Sequence, residues 1–282
     1  MAIIKSTEWL KIAYGNGMYV AVGANALDSN IAYSTNGINW TPVDTIVYSI
    51  RAIAYGNGRF VAYAMGEHNN ASNSDAYIGY STNGINWTFT KLGYYIDYEK
   101  SDIIFAEGKF VACGKSKVVE YSTDGINWNS VTVVNYTMAY NKIIYGNGIY
   151  FAYEIKATQV RYAISTTGLN GTWTNGNLYS EKSITNLTDV VFNGEEFVLL
   201  ATRTIYTTKD FKTFTKISSN LSGRNNGIIY KDGMYVVVGM QSSNSNAYLA
   251  YSTNLTEWTE MNPIKDETGS TITGELNSAL IM

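Results

Sequence analysis

Chemistry on a glycoside or an ester needs carboxylates, a histidine or a nucleophile held close together. Glycoside hydrolysis by the common route uses two carboxylates converging across a cleft. Here 23 Asp and Glu are spread thinly over 282 residues, and no acidic pair recurs in a way that marks a site. His68 is the only histidine and lies in the polar run Glu67-His68-Asn69-Asn70, where a solvated side chain is expected. A Ser-His-Asp triad would have to be built on it, and no nucleophile elbow accompanies it. Cys113 is the single cysteine, which excludes an intrachain disulfide and a cysteine-based zinc site. Its apolar run, Phe110-Val111-Ala112-Cys113, predicts a core thiol. Leu27-Asp28-Ser29-Asn30 and Asn73-Ser74-Asp75 carry oxygens for calcium, but neither matches a dedicated loop. The expectation is therefore no catalytic residue, no metal and no cofactor: a chain that is not an enzyme.

Binding by loop side chains fits better. Tyr, Asn, Ser and Asp supply flat rings and adaptable hydrogen bonds at low entropy cost, as paratopes and sugar sites do. The candidate ligand-binding residues are Asp28, Asn30, His68, Asn69, Asn73, Asp75, Tyr77, Asn244, Asn246 and Tyr248, all in or beside variable connections. A net charge of -3 with five scattered arginines gives no electrostatic case for nucleic acid. No stretch approaches a membrane span, and the N-terminus lacks the apolar run of a signal peptide. An extracellular or virion-associated location would be reached without a classical signal.

The elements that must position these residues come from a repeat. Tyr33-Ser34-Thr35-Asn36-Gly37-Ile38-Asn39-Trp40 returns unchanged at 80–87 and with Asp124 for Asn at 121–128. Looser copies run at 251–258, with Leu255 in place of Gly, at 165–173, and at 208–214, with Phe in place of both Gly and Trp. Ahead of each copy stand two apolar runs about a tight turn, such as Gly15-Asn16-Gly17, Gly56-Asn57-Gly58 and Gly146-Asn147-Gly148. Asn-Gly between β-rich runs is the strongest short hairpin signal. Each unit therefore reads as a meander of strands a, b, c and d, with the box as the c–d turn. Its Asn or Asp bonds its own backbone two residues on, and its Gly relieves a strained position.

Strands a and b are nearly continuous apolar runs, which implies burial on both faces. Six units at a period of roughly 40 to 50 residues, without helical periodicity, predict an all-β fold. That fold is a six-bladed β-propeller of four-stranded antiparallel blades, with seven blades and a hybrid closing blade as the alternative. One domain over 1–282 is expected, with repeats at 10–44, 51–92, 102–134, 142–178, 189–218 and 227–264. Residues 265–282 would form a closing strand or a tail. Trp40, Trp87, Trp128, Trp173, Phe214 and Trp258 are expected to be structural, filling gaps between blades. The a–b and c–d turns would share one uniform face. The b–c connections would form a variable face, longest in units six, one and two and raised there as a wall.

The Ser-Thr-Asn/Asp-Gly-x-x-Trp box resembles the Asp-box, or BNR, repeat of sialidase-like propellers, shortened by one residue between Asp and Gly. The companion Tyr-Gly-Asn-Gly-x-Phe/Tyr-Val-Ala resembles repeat propellers of bacterial surface proteins and of phage or prophage tails. The resemblance implies the fold and a viral or phage-tail origin, while the loop composition points to a module for surface glycans or a host receptor, with a spacer or decoration role in a virion or tail assembly as the alternative. A sialidase would also need an arginine triad, a Tyr-Glu nucleophile pair and an acid/base carboxylate. Arg51, Arg59, Arg161, Arg203 and Arg224 stand in no matching motif.

Overall fold

Six sheets of four antiparallel strands, each wound in simple sequence order, account for all the strands of this computed structural model. It describes residues 8–24, 30–68, 74–96, 102–114, 118–133, 140–154, 160–201, 204–241, 246–261, 264–265 and 268–271. These are the six blades of a β-propeller fold. Blade 1 is β1 (Glu8–Gly15), β2 (Met18–Ala24), β3 (Ile31–Ser34) and β4 (Thr41–Val43). Blade 2 is β5 (Ser49–Gly56), β6 (Arg59–His68), β7 (Ser74–Ser81) and β8 (Thr88–Ile96). Blade 3 is β9 (Asp102–Ala106), β10 (Lys109–Cys113), β11 (Val118–Ser122) and β12 (Asn129–Thr132). Blade 4 is β13 (Lys142–Gly146), β14 (Ile149–Tyr153), β15 (Arg161–Ser165) and β16 (Thr174–Asn177). A five-residue helix, α1 (Leu178–Lys182), leads out of it. Blade 5 is β17 (Leu187–Phe192), β18 (Phe197–Ala201), β19 (Thr204–Thr208) and β20 (Thr215–Ile217). Blade 6 is β21 (Arg224–Lys231), β22 (Met234–Met240), β23 (Ala247–Ser252) and β24 (Thr259–Glu260).

Among the described residues α1 is a short helical interlude in an all-β fold. Asn177 caps it by accepting from the N–H groups of Tyr179 and Ser180. Buried Leu178 and Ile184 then fix it in place. One apolar residue at each end of so short a piece gives no helical period to read.

The hairpins form for the reason their sequences suggest. Asn16 and Gly17 take φ of 51° and 73°, the pair of positive angles a two-residue turn needs to match strand twist. Tyr14 then faces Tyr19, and Gly15 faces Met18. Blade 5 differs. Its a–b turn is the longer Asn193–Glu196, where Asn193 Oδ1 accepts from Glu195 N and Glu196 N. Within that turn only Gly194 has positive φ. Two-residue Asn-Gly geometry fails there because Phe192 pairs with Phe197, leaving four residues to bridge.

The chain divides into two compact units. The first holds Met1–Ile143, Tyr150–Glu154 and Ala163–Asn175; the second holds Ile144–Ile149, Ile155–Tyr162 and Gly176–Met282. In the first, Val20, Val22, Ile31, Ile50, Phe60 and Ala62 form a core between blades 1 and 2. Val61, Tyr63, Met65, Ile103 and Phe110 form one between blades 2 and 3. In the second, Val198, Leu200, Ile228, Val237, Tyr248 and Leu255 join blades 5 and 6. Strand b is buried throughout in blades 3 and 5, apart from the partly exposed Lys109. Carboxylates at the start of strand a tie neighbouring blades. Ile143 N donates to Asp102 Oδ2 at 3.2 Å, and Ile228 N to Asp189 Oδ2 at 3.1 Å. Lys11 of blade 1 also reaches Asp102, at 3.5 Å.

One contact between blades is repeated. The glycine that precedes the turn, Gly15, Gly56 or Gly146, lies under a ring from strand a of the following blade. A Cβ on these glycines would stand about 2 Å from Tyr55, Phe105 and Phe192 ring carbons: 2.1, 2.0 and 2.3 Å. Tyr55-Gly56 thus offers a ring to blade 1 and a flat backbone to blade 3. Blade 3 carries Ala106 instead of Gly, and there the Tyr150 hydroxyl donates to the Ala106 carbonyl at 2.9 Å.

Candidate functional site

The two ends of a blade are built differently. At the end carrying the a–b and c–d turns, the box is one structure used repeatedly. Ser34 Oγ accepts from Gly37 N at 2.9 Å, and Asn36 Oδ1 accepts from Ile38 N and Asn39 N, both at 2.9 Å. Trp40 Nε1 donates to the Gly37 carbonyl at 3.0 Å, closing the turn over its own ring. Blade 2 repeats these bonds with Ser81, Asn83 and Trp87. Asp124 does the same for Ile126 and Asn127, and the two N–H groups hold its carboxyl well below the usual carboxylate range. Asp210 is lowered for the same reason, by Thr213 N and Lys212 N.

In blades 5 and 6 the left-handed residue is not glycine. Phe211 and Leu255 take φ of 57° and 66°, and both side chains are buried. Phe211 meets Tyr162 of blade 4 and Phe197 of its own blade. A packed side chain there offsets the backbone strain that glycine avoids elsewhere. Trp87 packs on the core between blades 1 and 2, Trp128 on that between 2 and 3, and Trp258 on that between 5 and 6. Trp40 is half-buried, Trp173 lies 6.4 Å from the Tyr150 ring, and Phe214 lies 6.3 Å from the Phe211 ring. Arg59 is engaged at this end too. It donates to the Asp124 carbonyl and lies over the Tyr80 ring.

The opposite end carries the b–c connections, and there blade 2 stands apart. Its strands b, c and d run 10, 8 and 9 residues, against 5, 5 and 4 in blade 3. His68 pairs with Ser74, and Ser74 pairs with Ile96, so the extra length is a three-stranded tongue continuing the blade. Asp75 within it pairs with Lys91 at 2.7 Å. Lys91 is half exposed and lies in strand d; it is not among the candidates the sequence marks, and the β-prone run Thr88–Ile96 is the signal for it. The Tyr77 ring lies across Gly66, whose Cβ would stand 2.9 Å from it, and packs on the core between blades 1 and 2.

The other candidate residues are placed as follows. Asn30 is buried, and its amide donates to the carbonyls of Val47 and Tyr48 at 2.8 and 2.9 Å. That side chain staples the b–c connection of blade 1 to the crossing into blade 2. Tyr248 is fully buried over Gly223 and donates to Glu260 Oε1 at 2.9 Å. Burial, reinforced by Glu260, pushes its phenol up to about 12. Asn246 is half-buried, and its carbonyl accepts from Gln241 N. Asp28, Asn69, Asn73 and Asn244 lie outside the described residues, as does Arg203. The structure thus brings Asp75, Tyr77 and the His68 backbone together on one tongue. It turns Asn30 and Tyr248 inward.

Tyr–Glu pairs occur among the described residues. Tyr63 donates to Glu120 Oε2 at 3.2 Å, with Ser130 donating to the other oxygen at 3.0 Å; the second pair is Tyr248–Glu260. Both phenols are buried, with 0% exposure. Cys113 is buried, and desolvation, with the Asp102 charge adding to it, pushes its thiol well up. Among the described residues no group of three or more His, Cys, Asp or Glu is placed to hold a metal, and no helix is long and apolar enough to cross a membrane.

No family model matches the chain, and no curated protein sequence does. Solved structures match over most of its length. The computationally designed Ika8 protein is similar at a TM-score of 0.60 and 10% identity, over 94% of this chain and 76% of the other. A chain of the nidogen/laminin complex is similar at 0.53 and 9%, over 97% and 100%. The GH93 α-L-arabinofuranosidase of Fusarium graminearum is similar at 0.51 and 12%, over 83% and 88%. At such identities the likeness is one of fold.

Proposed function

We propose that this propeller is a non-enzymatic binding module, and that it recognises surface glycans or a host-surface receptor through its b–c connections. The observation that carries the reading is the blade 2 tongue. A scaffold needs strands only as long as the blade is deep, yet Met65–His68, Ser74–Asp75 and the far end of β8 run beyond what blade 3 requires. The tongue carries a half-exposed Lys91 beside Asp75, with the Tyr77 ring below them. A cation, a carboxylate and a flat ring at one edge suit a polyhydroxylated ligand, which takes hydrogen bonds from its rim and stacking on its face. The resemblance of the repeats to those of bacterial surface and phage-tail proteins supports a cell-surface or tail setting.

The test is a glycan array and a cell-binding assay on the whole chain, beside a variant with 66–75 replaced by a two-residue turn. Loop length itself costs little, so the variant should fold. Saturable binding by the parent that disappears in the shortened chain supports the reading. Silence of the parent across a broad array favours a spacer or decoration domain of a larger assembly. Turnover of a sialoside or an arabinofuranoside would replace the binding reading with a hydrolytic one.

A further inference from the structure

Three hairpins present one tripeptide in one conformation, and only the surroundings of the side-chain amide differ. Gly15-Asn16-Gly17, Gly56-Asn57-Gly58 and Gly146-Asn147-Gly148 are identical in sequence. Their asparagines have φ of 51°, 47° and 47°, and the glycines that follow have 73°, 72° and 74°. All three asparagines are exposed, and nothing lies within 4 Å of where a Cβ would stand on Gly17, Gly58 or Gly148. Backbone strain and crowding are therefore shared. The amides are not alike. Asn57 Nδ2 donates across to blade 3, to the carbonyls of Gly108 at 3.3 Å and Thr123 at 3.0 Å. Asn147 Nδ2 donates to the Lys209 carbonyl at 3.4 Å. The Asn16 amide makes no hydrogen bond among the described residues.

We propose that Asn16 is a site of spontaneous deamidation, and that the carbonyls holding the Asn57 and Asn147 amides protect those two from the same reaction. In the first step the Gly17 nitrogen gives up its proton and attacks Asn16 Cγ. The new N–Cγ bond closes a cyclic imide, the Cγ–Nδ2 bond breaks, and ammonia leaves with the proton. Water then opens the imide at either carbonyl, leaving aspartate or isoaspartate. Nothing is oxidised or reduced. The side chain must swing out of the turn to bring Cγ onto the following nitrogen, and an amide tied to a neighbouring blade resists that swing. The box asparagines are held more firmly still. Gly37 N and Gly84 N donate to Ser34 Oγ and Ser81 Oγ at 2.9 Å, and Asn36 and Asn83 are fixed through Oδ1.

The consequences also differ by site. Each event adds one negative charge, taking the chain from -3 to -4 (-3 - 1). At Asn57 the new carboxylate would face two carbonyl oxygens and break the contact between blades 2 and 3. At Asn16 no contact is lost.

The native full chain is held in warm, mildly alkaline buffer, acidic species are separated by ion exchange, and sites are read by fragment sequencing in a mass spectrometer. Asn16 should react about tenfold faster than Asn57, the factor for roughly 1.4 kcal/mol spent releasing the held amide. In urea, where only the shared tripeptide remains, the three sites should react at one rate. Native rates within about twofold of one another, or an Asn16 slower than Asn57, would overturn the proposal. So would a rate difference that persists in urea, because it could not come from the blades.

Discussion

Placing an alanine at Gly56 should destabilise the protein through Phe105, a residue one blade away. The added Cβ would stand 2.0 Å from Phe105 Cγ and 2.2 and 2.4 Å from the two Cδ atoms. Carbon atoms rest at about 3.5 to 4 Å, so the ring must retreat by roughly 1.5 Å. Retreat is hindered, because the ring already leans on Phe110 at a centroid distance of 4.8 Å. Overpacking of this kind costs about 1 to 3 kcal/mol. Gly58→Ala is the necessary comparison. It meets no atom but has φ of +72°, so its cost is backbone strain of about 1 to 2 kcal/mol. The two costs overlap, and a single measurement cannot tell them apart. A double-mutant cycle in urea can. In a Phe105→Ala background Gly56→Ala should lose its penalty, giving a coupling of about 1 to 3 kcal/mol, while Gly58→Ala keeps its own. If Gly56→Ala costs the same with and without the ring, the account of the Tyr-Gly dipeptide as an inter-blade contact fails.

Other outcomes follow from the same geometry. Trp87→Ala should cost about 3 kcal/mol, the low end for a large aromatic because the ring is half-buried, with binding by the folded fraction unchanged; urea midpoints and the array check both. Tyr63→Phe removes a hydroxyl donor from buried Glu120 and should cost about 1 to 3 kcal/mol by the same unfolding assay. Asp124 has its folded pKa depressed by the N–H groups of Asn127 and Ile126. Its contribution is therefore present above the ordinary aspartate range near 3.8 and is lost as pH falls toward the lower folded value. Asp124→Asn should weaken the acid dependence of the melting temperature between about pH 5 and 2, and Asn36→Asp should strengthen it; the opposite order would refute a carboxylate-capped turn.

Local signals in this chain were strong because they are backbone requirements met by particular residues. Asn-Gly announces a pair of positive φ angles, the box announces a turn in which Asn or Asp bonds its own backbone, and unbroken apolar runs announce a strand covered on both faces. Each is settled within a few residues, so the strands, the turns and the six-bladed class were legible without a structure. Blade 5 shows the limit: Asn193-Gly194 reads as the same hairpin, but the Phe192–Phe197 pairing decides its length. Polarity misled at the b–c end. Asn30 and Tyr248 look like solvent-facing donors in sequence, yet the carbonyls of Val47 and Tyr48 and the carboxylate of Glu260 satisfy them inside. A polar side chain is buried or exposed according to partners supplied from other elements, and those partners come together only in the folded chain. The same holds for Gly15, Gly56 and Gly146. Sequence marks them as turn residues, and only the following blade, bringing a ring to about 2 Å from the missing Cβ, makes glycine necessary there.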